Sequence, residues 1–191
     1  MTRLVVDSPQ RMADLGSLIA GQLDAGDLVL LNGELGAGKT TLTRAIGETL
    51  GIRGTVTSPT FVLARTHPRL GQSISIPTAT QQPEPESASS SSPAQAPLVH
   101  VDAYRLGSAV ELDDLDIDFE ASIVVVEWGA GLLDGVSKSW LNVDIARPTG
   151  AGDENHSDDD FAEEAVEPRA VTVTGFGPKW ADLRWLDVFS D

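Results

Sequence analysis

Cysteine is absent from the 191-residue chain, which excludes disulfides and thiolate metal sites and fits a reducing cytosol. Histidine is scarce: His67, His100 and His156 are scattered and form no zinc-ligand pattern. No run of eighteen apolar residues occurs, so no membrane span is expected, and the opening MTRLVVDSPQRM lacks the long apolar stretch of a secretory signal. Basic residues are few, 13 Lys and Arg against 29 Asp and Glu, for a net charge of −16. Eight of the acids fall between Asp153 and Glu167. Even without those eight the balance argues against a broad phosphate-backbone footprint, which needs clustered cations. If RNA is involved, another subunit is expected to hold it. Plain solubility is the alternative reading of the acidity.

What remains is a chain of one-domain length with strand and helix signals in alternation. Thr2 to Val6 reads as a short strand. Ser8 as N-cap and Pro9 at the first helical position open a helix whose Met12, Leu15, Ile19 and Leu23 recur on one face. Leu28 to Asn32 is a short apolar run of buried-strand type, and a second helix runs from Lys39 to Gly51. Further strands are expected at Thr60–Arg65, Leu98–Tyr104, Ser122–Trp128, Trp140–Ala146 and Ala170–Phe176, with KWADLRWLDVF closing the chain as an amphipathic helix. The expectation is an α/β fold, a central mixed sheet flanked by helices. The segments from Leu70 to Pro97, rich in Ser, Pro and Gln, and from Pro148 to Pro168, strongly acidic, offer little to bury and read as disordered loop insertions in a single domain spanning 1–191. No internal repeat is found.

Between the second strand and second helix stands GELGAGKT, Gly33 to Thr40, which matches G-x-x-x-x-G-K-[ST] in its proper strand-to-helix context. Around Gly36, Ala37 and Gly38 the backbone can curl so that successive N–H groups converge on phosphate oxygens. The helix beginning near Lys39 directs its free N–H groups and positive dipole end at the same anion. Lys39 would bridge β- and γ-phosphates, Thr40 would ligate Mg²⁺, and Thr41 could add a further phosphate contact. A merely structural glycine-rich turn would not require lysine and threonine in register. No N-K-x-D or T-K-x-D segment occurs, so ATP is favoured over GTP.

A phosphate loop needs a further acid for its cation, usually at the end of a neighbouring apolar strand. Asp102, after Val99 and Val101, and Glu127, after three valines, are both candidates; a solvent-facing strand-end acid is the alternative for each. TSPTF, Thr57 to Phe61, is either a nucleotide switch or a turn entering a strand. Trp128 either stacks near the nucleotide or fills the core.

Taken in order, GELGAGKTT, TSPTF, HVDAYRL with ELDDL after it, and VVVEW resemble the TsaE (YjeE) family closely. The resemblance covers roughly Thr2 to Leu133 without the 70–97 segment, with a weaker continuation through the last strands. It implies a P-loop NTPase-type fold and an ATPase that binds ATP and Mg²⁺, weak alone, stimulated by TsaD and TsaB and resetting that complex. Those partners attach a threonylcarbamoyl group to adenosine 37 of tRNAs reading codons that begin with A, so tRNA is met indirectly. The chain alone is read as a monomer without membrane contact. By the resemblance, Thr40 and Glu127 are Mg²⁺ ligands, Asp102 the Walker-B-type acid and Thr60 the switch threonine. Trp128 then lies beside the nucleotide, and Ser8 or Pro9 near the adenine. The two long insertions depart from the family pattern but remove none of its motif residues.

Two other readings share the loop. A small-molecule kinase would need an acceptor pocket and an arginine-bearing lid, and the ten arginines form no such cluster. A nucleotide-gated binding module would need no hydrolysis.

Overall fold

The computed structural model describes residues 1–59, 62–70, 96–133, 136–147 and 167–189. Their strands form one seven-stranded sheet in the order β1-β7-β6-β2-β5-β4-β3. The strands are β1 (Thr2–Val6), β2 (Leu28–Gly33), β3 (Ala64–His67), β4 (Leu98–Asp102), β5 (Ile123–Glu127), β6 (Trp140–Ala146) and β7 (Arg169–Phe176). Four neighbours in the middle, β6, β2, β5 and β4, run parallel, while β3 pairs antiparallel with β4, and β7 with both β6 and β1. The sheet is therefore mixed, as expected from the late run of strands.

Helix α1 (Pro9–Ala20) starts where the sequence places it: the Ser8 hydroxyl accepts from Arg11 N–H at 3.2 Å, and proline occupies the first turn. Helix α2 (Lys39–Leu50) ends at Gly51, whose φ of 68° a residue without Cβ adopts without strain. The two helices lie against the same face of the sheet, where Leu15, Ile19, Leu42 and Ile46 join Leu31, Val125 and Val143 in one core. They approach closely because Gly16 presents no side chain. A Cβ there would stand 2.7 Å from Ala45 Cβ and 2.9 Å from the Leu42 carbonyl oxygen. Leu28, Leu30, Val124 and Val126 fill the opposite face, covered by Leu112 of the short helix α3 (Ala109–Asp113) and by Leu133. No helix among the described residues is long and apolar enough to cross a membrane.

Three expected elements differ in the structure. The strand expected at Thr60–Arg65 begins only at Ala64, because the Pro59 carbonyl accepts from both Val62 N–H and Leu63 N–H and turns the chain first. Thr60 and Phe61 lie outside the described residues. The strand expected to reach Tyr104 stops at Asp102, whose carboxylate accepts from Tyr104 N–H at 3.1 Å and starts a 3₁₀ turn over Ala103–Arg105. The closing helix is 3₁₀, not α, over Arg184–Phe189. Its buried residues explain why: Trp180, Leu183, Leu186 and Phe189 recur every third position, the period of that tighter helix.

The two insertions fall almost wholly outside the described residues, at 71–95 and 148–166. Their ends are in place: the Pro97 carbonyl accepts from Ile123 N–H at 2.9 Å, and the Arg169 guanidinium donates to the Glu167 carbonyl at 2.6 Å. Each insertion lies between two strands that are antiparallel neighbours, β3 with β4 and β6 with β7.

Candidate nucleotide and cation site

The parallel strands β2, β5 and β4 deliver their C-terminal ends side by side, and the site is built there. Register places Leu31 opposite Glu127 and Glu127 opposite Asp102. Gly33 leaves β2 with φ of 144°, and a Cβ at that position would stand 2.3 Å from the Ile145 carbonyl oxygen, so only glycine lets β6 support the loop this closely. Gly36 (φ 75°) and Gly38 (φ 113°) complete the curl, and Ala37 between them is buried. Gly38 caps α2 without a side-chain acceptor, so the first N–H groups of that helix are left to point into the loop.

Lys39 is buried and its ammonium donates to the carbonyls of Gly33 (2.8 Å) and Glu34 (2.9 Å). It also lies over the Trp128 ring. Burial lowers its pKa from the usual lysine range, while the carboxylates of Glu127 and Asp102 act in the opposite sense. Thr40 Oγ1 donates to Glu127 Oε1 at 3.0 Å, tying the first turn of α2 to the end of β5. Asp102 stands one strand further out: Oδ1 is held by Tyr104 N–H, and Ser58 Oγ is 3.5 Å from Oδ2. Trp128 follows Glu127 in the left-handed region, with its N–H on the Leu31 carbonyl at 3.1 Å, and its ring meets Tyr104 edge to face.

These groups border a cleft of about 630 Å³ that Lys39, Thr40, Glu127, Asp102 and Trp128 share with Ser58 and Tyr104. A smaller recess of about 140 Å³ opens on the other side of the loop, between Ser8, Pro9 and Met12 of α1 and the Ala37–Gly38 backbone. Gly36, Gly38 and Thr41 border both spaces. The structure thus gathers the expected Ser8, Gly36, Ala37, Gly38, Lys39, Thr40, Thr41, Asp102, Glu127 and Trp128 around one loop. Thr60, expected as the switch threonine, is outside the described residues.

Among the described residues no group of three or more His, Asp or Glu side chains could cage a metal alone. A hydroxyl and a carboxylate joined at the mouth of a phosphate loop instead suit Mg²⁺, which takes one or two protein oxygens and completes its shell with water and phosphate. The donor set is all oxygen and hard, and it fits.

Three contributors receive no role from the sequence alone. His100 sits two residues before Asp102 on the same strand face, fully buried, with Nε2 at 2.9 Å from Glu127 Oε1. In the sequence it stands as the first residue of HVDAYRL, a histidine amid valines in an apolar strand. Glu167, the last acid of the acidic insertion, and Arg169, just beyond it, border the smaller recess and have no local pattern that points there.

Known proteins match both the sequence and the fold. The family described as threonylcarbamoyl adenosine biosynthesis protein TsaE matches residues 6–153. A curated relative from Streptomyces coelicolor, named tRNA threonylcarbamoyladenosine biosynthesis protein TsaE, is 46% identical over 89% of this chain and 94% of its own. One of the same name from Mycobacterium tuberculosis is 44% identical over 70% of this chain and 71% of its own. Among solved structures, YdiB from Bacillus subtilis superposes with a TM-score of 0.58 at 23% identity, over 98% of this chain and 93% of that one, and shares its fold.

Proposed function

The chain belongs to the TsaE family, and from that membership and the site we propose that it is a Mg²⁺-dependent ATPase serving threonylcarbamoylation of adenosine 37 in tRNA. In this reading it is slow alone, is stimulated by TsaD and TsaB, and resets their complex by hydrolysis. The observation that carries the reading is the Thr40–Glu127 hydrogen bond at 3.0 Å, made at the first turn of the phosphate-loop helix and beside Asp102.

The roles follow from placement. The loop amides from Gly36 to Thr41 offer donors to phosphate oxygens, and Lys39 adds a cation within reach of the β- and γ-phosphates. Thr40 and Glu127 hold Mg²⁺, which when bound neutralises charge developing on the phosphates. Asp102, fixed by Tyr104 N–H, orients the attacking water or the hydration shell of the cation. Water adds to the γ-phosphorus and the bond to the β–γ bridging oxygen breaks, leaving ADP and inorganic phosphate. Trp128 walls the cleft beside Lys39. The recess between Ser8, Pro9 and Ala37 suits the adenine, and its small volume asks for a flat ring.

The test is ATP turnover by the full chain with and without the purified TsaD–TsaB pair. Slow turnover alone and a severalfold rise on adding the pair is expected, with neither seen for Lys39→Ala. Turnover that ignores the pair would defeat the proposed partnership. Phosphoryl transfer to a metabolite in place of water would favour a kinase.

A further inference from the structure

His100 is fully buried in β4 between Val99 and Val101, where an apolar side chain would bring no polar group to satisfy. The chain instead keeps an imidazole with one nitrogen, Nδ1, buried and unpartnered. The other nitrogen, Nε2, reaches diagonally across to β5 and meets Glu127 Oε1 at 2.9 Å. A carboxylate only accepts, so Nε2 carries a proton in this contact.

We propose that His100 is a positioning residue for the Mg²⁺ ligand Glu127. Its Nε2–H and the Thr40 hydroxyl both bind Oε1, which stops rotation of the carboxylate and presents the second oxygen, Oε2, to the cleft. The inference rests on the reading of Glu127 as a cation ligand. The register supports it: His100 lies opposite Val125 and Asp102 opposite Glu127, so the imidazole and both acids share one face of the sheet. Outer-shell partners that orient a ligand in this way are worth about 10- to 100-fold in metal affinity. A half-satisfied buried histidine is otherwise a net cost to folding, and this contact is what it gains.

The experiment is calorimetric binding of a non-hydrolysable ATP analogue by the full chain across a Mg²⁺ titration. His100→Leu should raise the Mg²⁺ needed by about 10-fold or more and leave affinity without Mg²⁺ unchanged. His100→Gln, whose amide N–H can reach Oε1, should recover most of the loss, and the shorter His100→Asn should not. If His100→Leu does not fold, the contrast between Gln and Asn decides. Wild-type Mg²⁺ dependence in the folded Leu variant, or equal defects in the Gln and Asn variants, would overturn the proposal. Independently, imidazole ¹⁵N spectra of the unaltered protein should show Nε2 protonated, and a bare Nε2 would also overturn it. Glu127→Ala separates the two levels. If that variant keeps normal Mg²⁺ dependence, the ligand assignment itself has failed. If it loses the dependence while His100→Leu does not, only the positioning role has failed.

Discussion

The Lys39 ammonium rests 3.8 Å from the centroid of the Trp128 ring, and the ring is brought there by a backbone φ of 64°, costly for a tryptophan. Such strain persists when the surroundings over-determine it. Here the Trp128 N–H is held by the Leu31 carbonyl, and the ring is flanked by Tyr104. Replacing the ring by alanine removes from the folded protein a cation–π contact worth about 1 kcal/mol. Trp128→Ala should therefore lower folding stability by about that amount or more in urea denaturation, and Trp128→Phe should lose less. An unchanged midpoint in the alanine variant would show that the contact adds nothing to the fold.

The contact between α1 and α2 yields a stability prediction. Because a Cβ at Gly16 would meet Ala45 and the Leu42 carbonyl at 2.7 and 2.9 Å, Gly16→Val must push the helices apart. Overpacking of this kind costs about 1–3 kcal/mol. The urea midpoint should fall accordingly, and a variant as stable as the parent would show that the helices can separate freely.

Acidification should weaken the fold through His67. The ring is buried with Nε2 unpartnered; burial first, then the neighbouring His100 and Arg65, hold its pKa below the ordinary histidine value of 6.5. The folded ring stays neutral at a pH where the unfolded chain is already protonated, so unfolding takes up a proton. Stability is fully present above about 6.5 and is lost progressively as pH falls toward the depressed folded value. Urea midpoints at a pH about one unit above 6.5 and at one about a unit below it should differ less for His67→Leu than for the parent protein. Equal slopes would assign the pH dependence elsewhere.

The closing 3₁₀ segment distinguishes two neighbouring positions. Leu186 is fully buried and Val188 is 70% exposed. Leu186→Ala should cost about 2–5 kcal/mol, whereas Val188→Ala should stay within about 0.5 kcal/mol. Thermal melts of the pair test the three-residue period directly. Similar losses at both sites would point to a different register.

Much of this architecture is encoded locally and is legible in the sequence. Ser8–Pro9 opens α1, Gly51 closes α2, and the valine run before Glu127 is a central strand, all from signals within a few residues. The phosphate loop is legible for the same reason. What escapes depends on distance in sequence. His100 meets Glu127 only because β4 lies beside β5 in a particular register. Arg169 reaches the smaller recess only because β7 pairs with β1 and β6 and so comes near the start of α1. The last segment misleads for a different reason: Trp185 and Val188 also suggest an α-helical stripe, and only burial shows that the stripe of three prevails.

Both long insertions join strands that already lie side by side as antiparallel neighbours. In such a connection the ends stay where pairing puts them, and doubling the intervening chain costs only about 0.6 kcal/mol in closure entropy. The fold therefore has two ports at which sequence can be gained or lost in evolution without moving the parallel strands that carry Glu127 and Asp102. The same ports are where an affinity tag or a fluorescent reporter could be grafted while the candidate cation site is left alone.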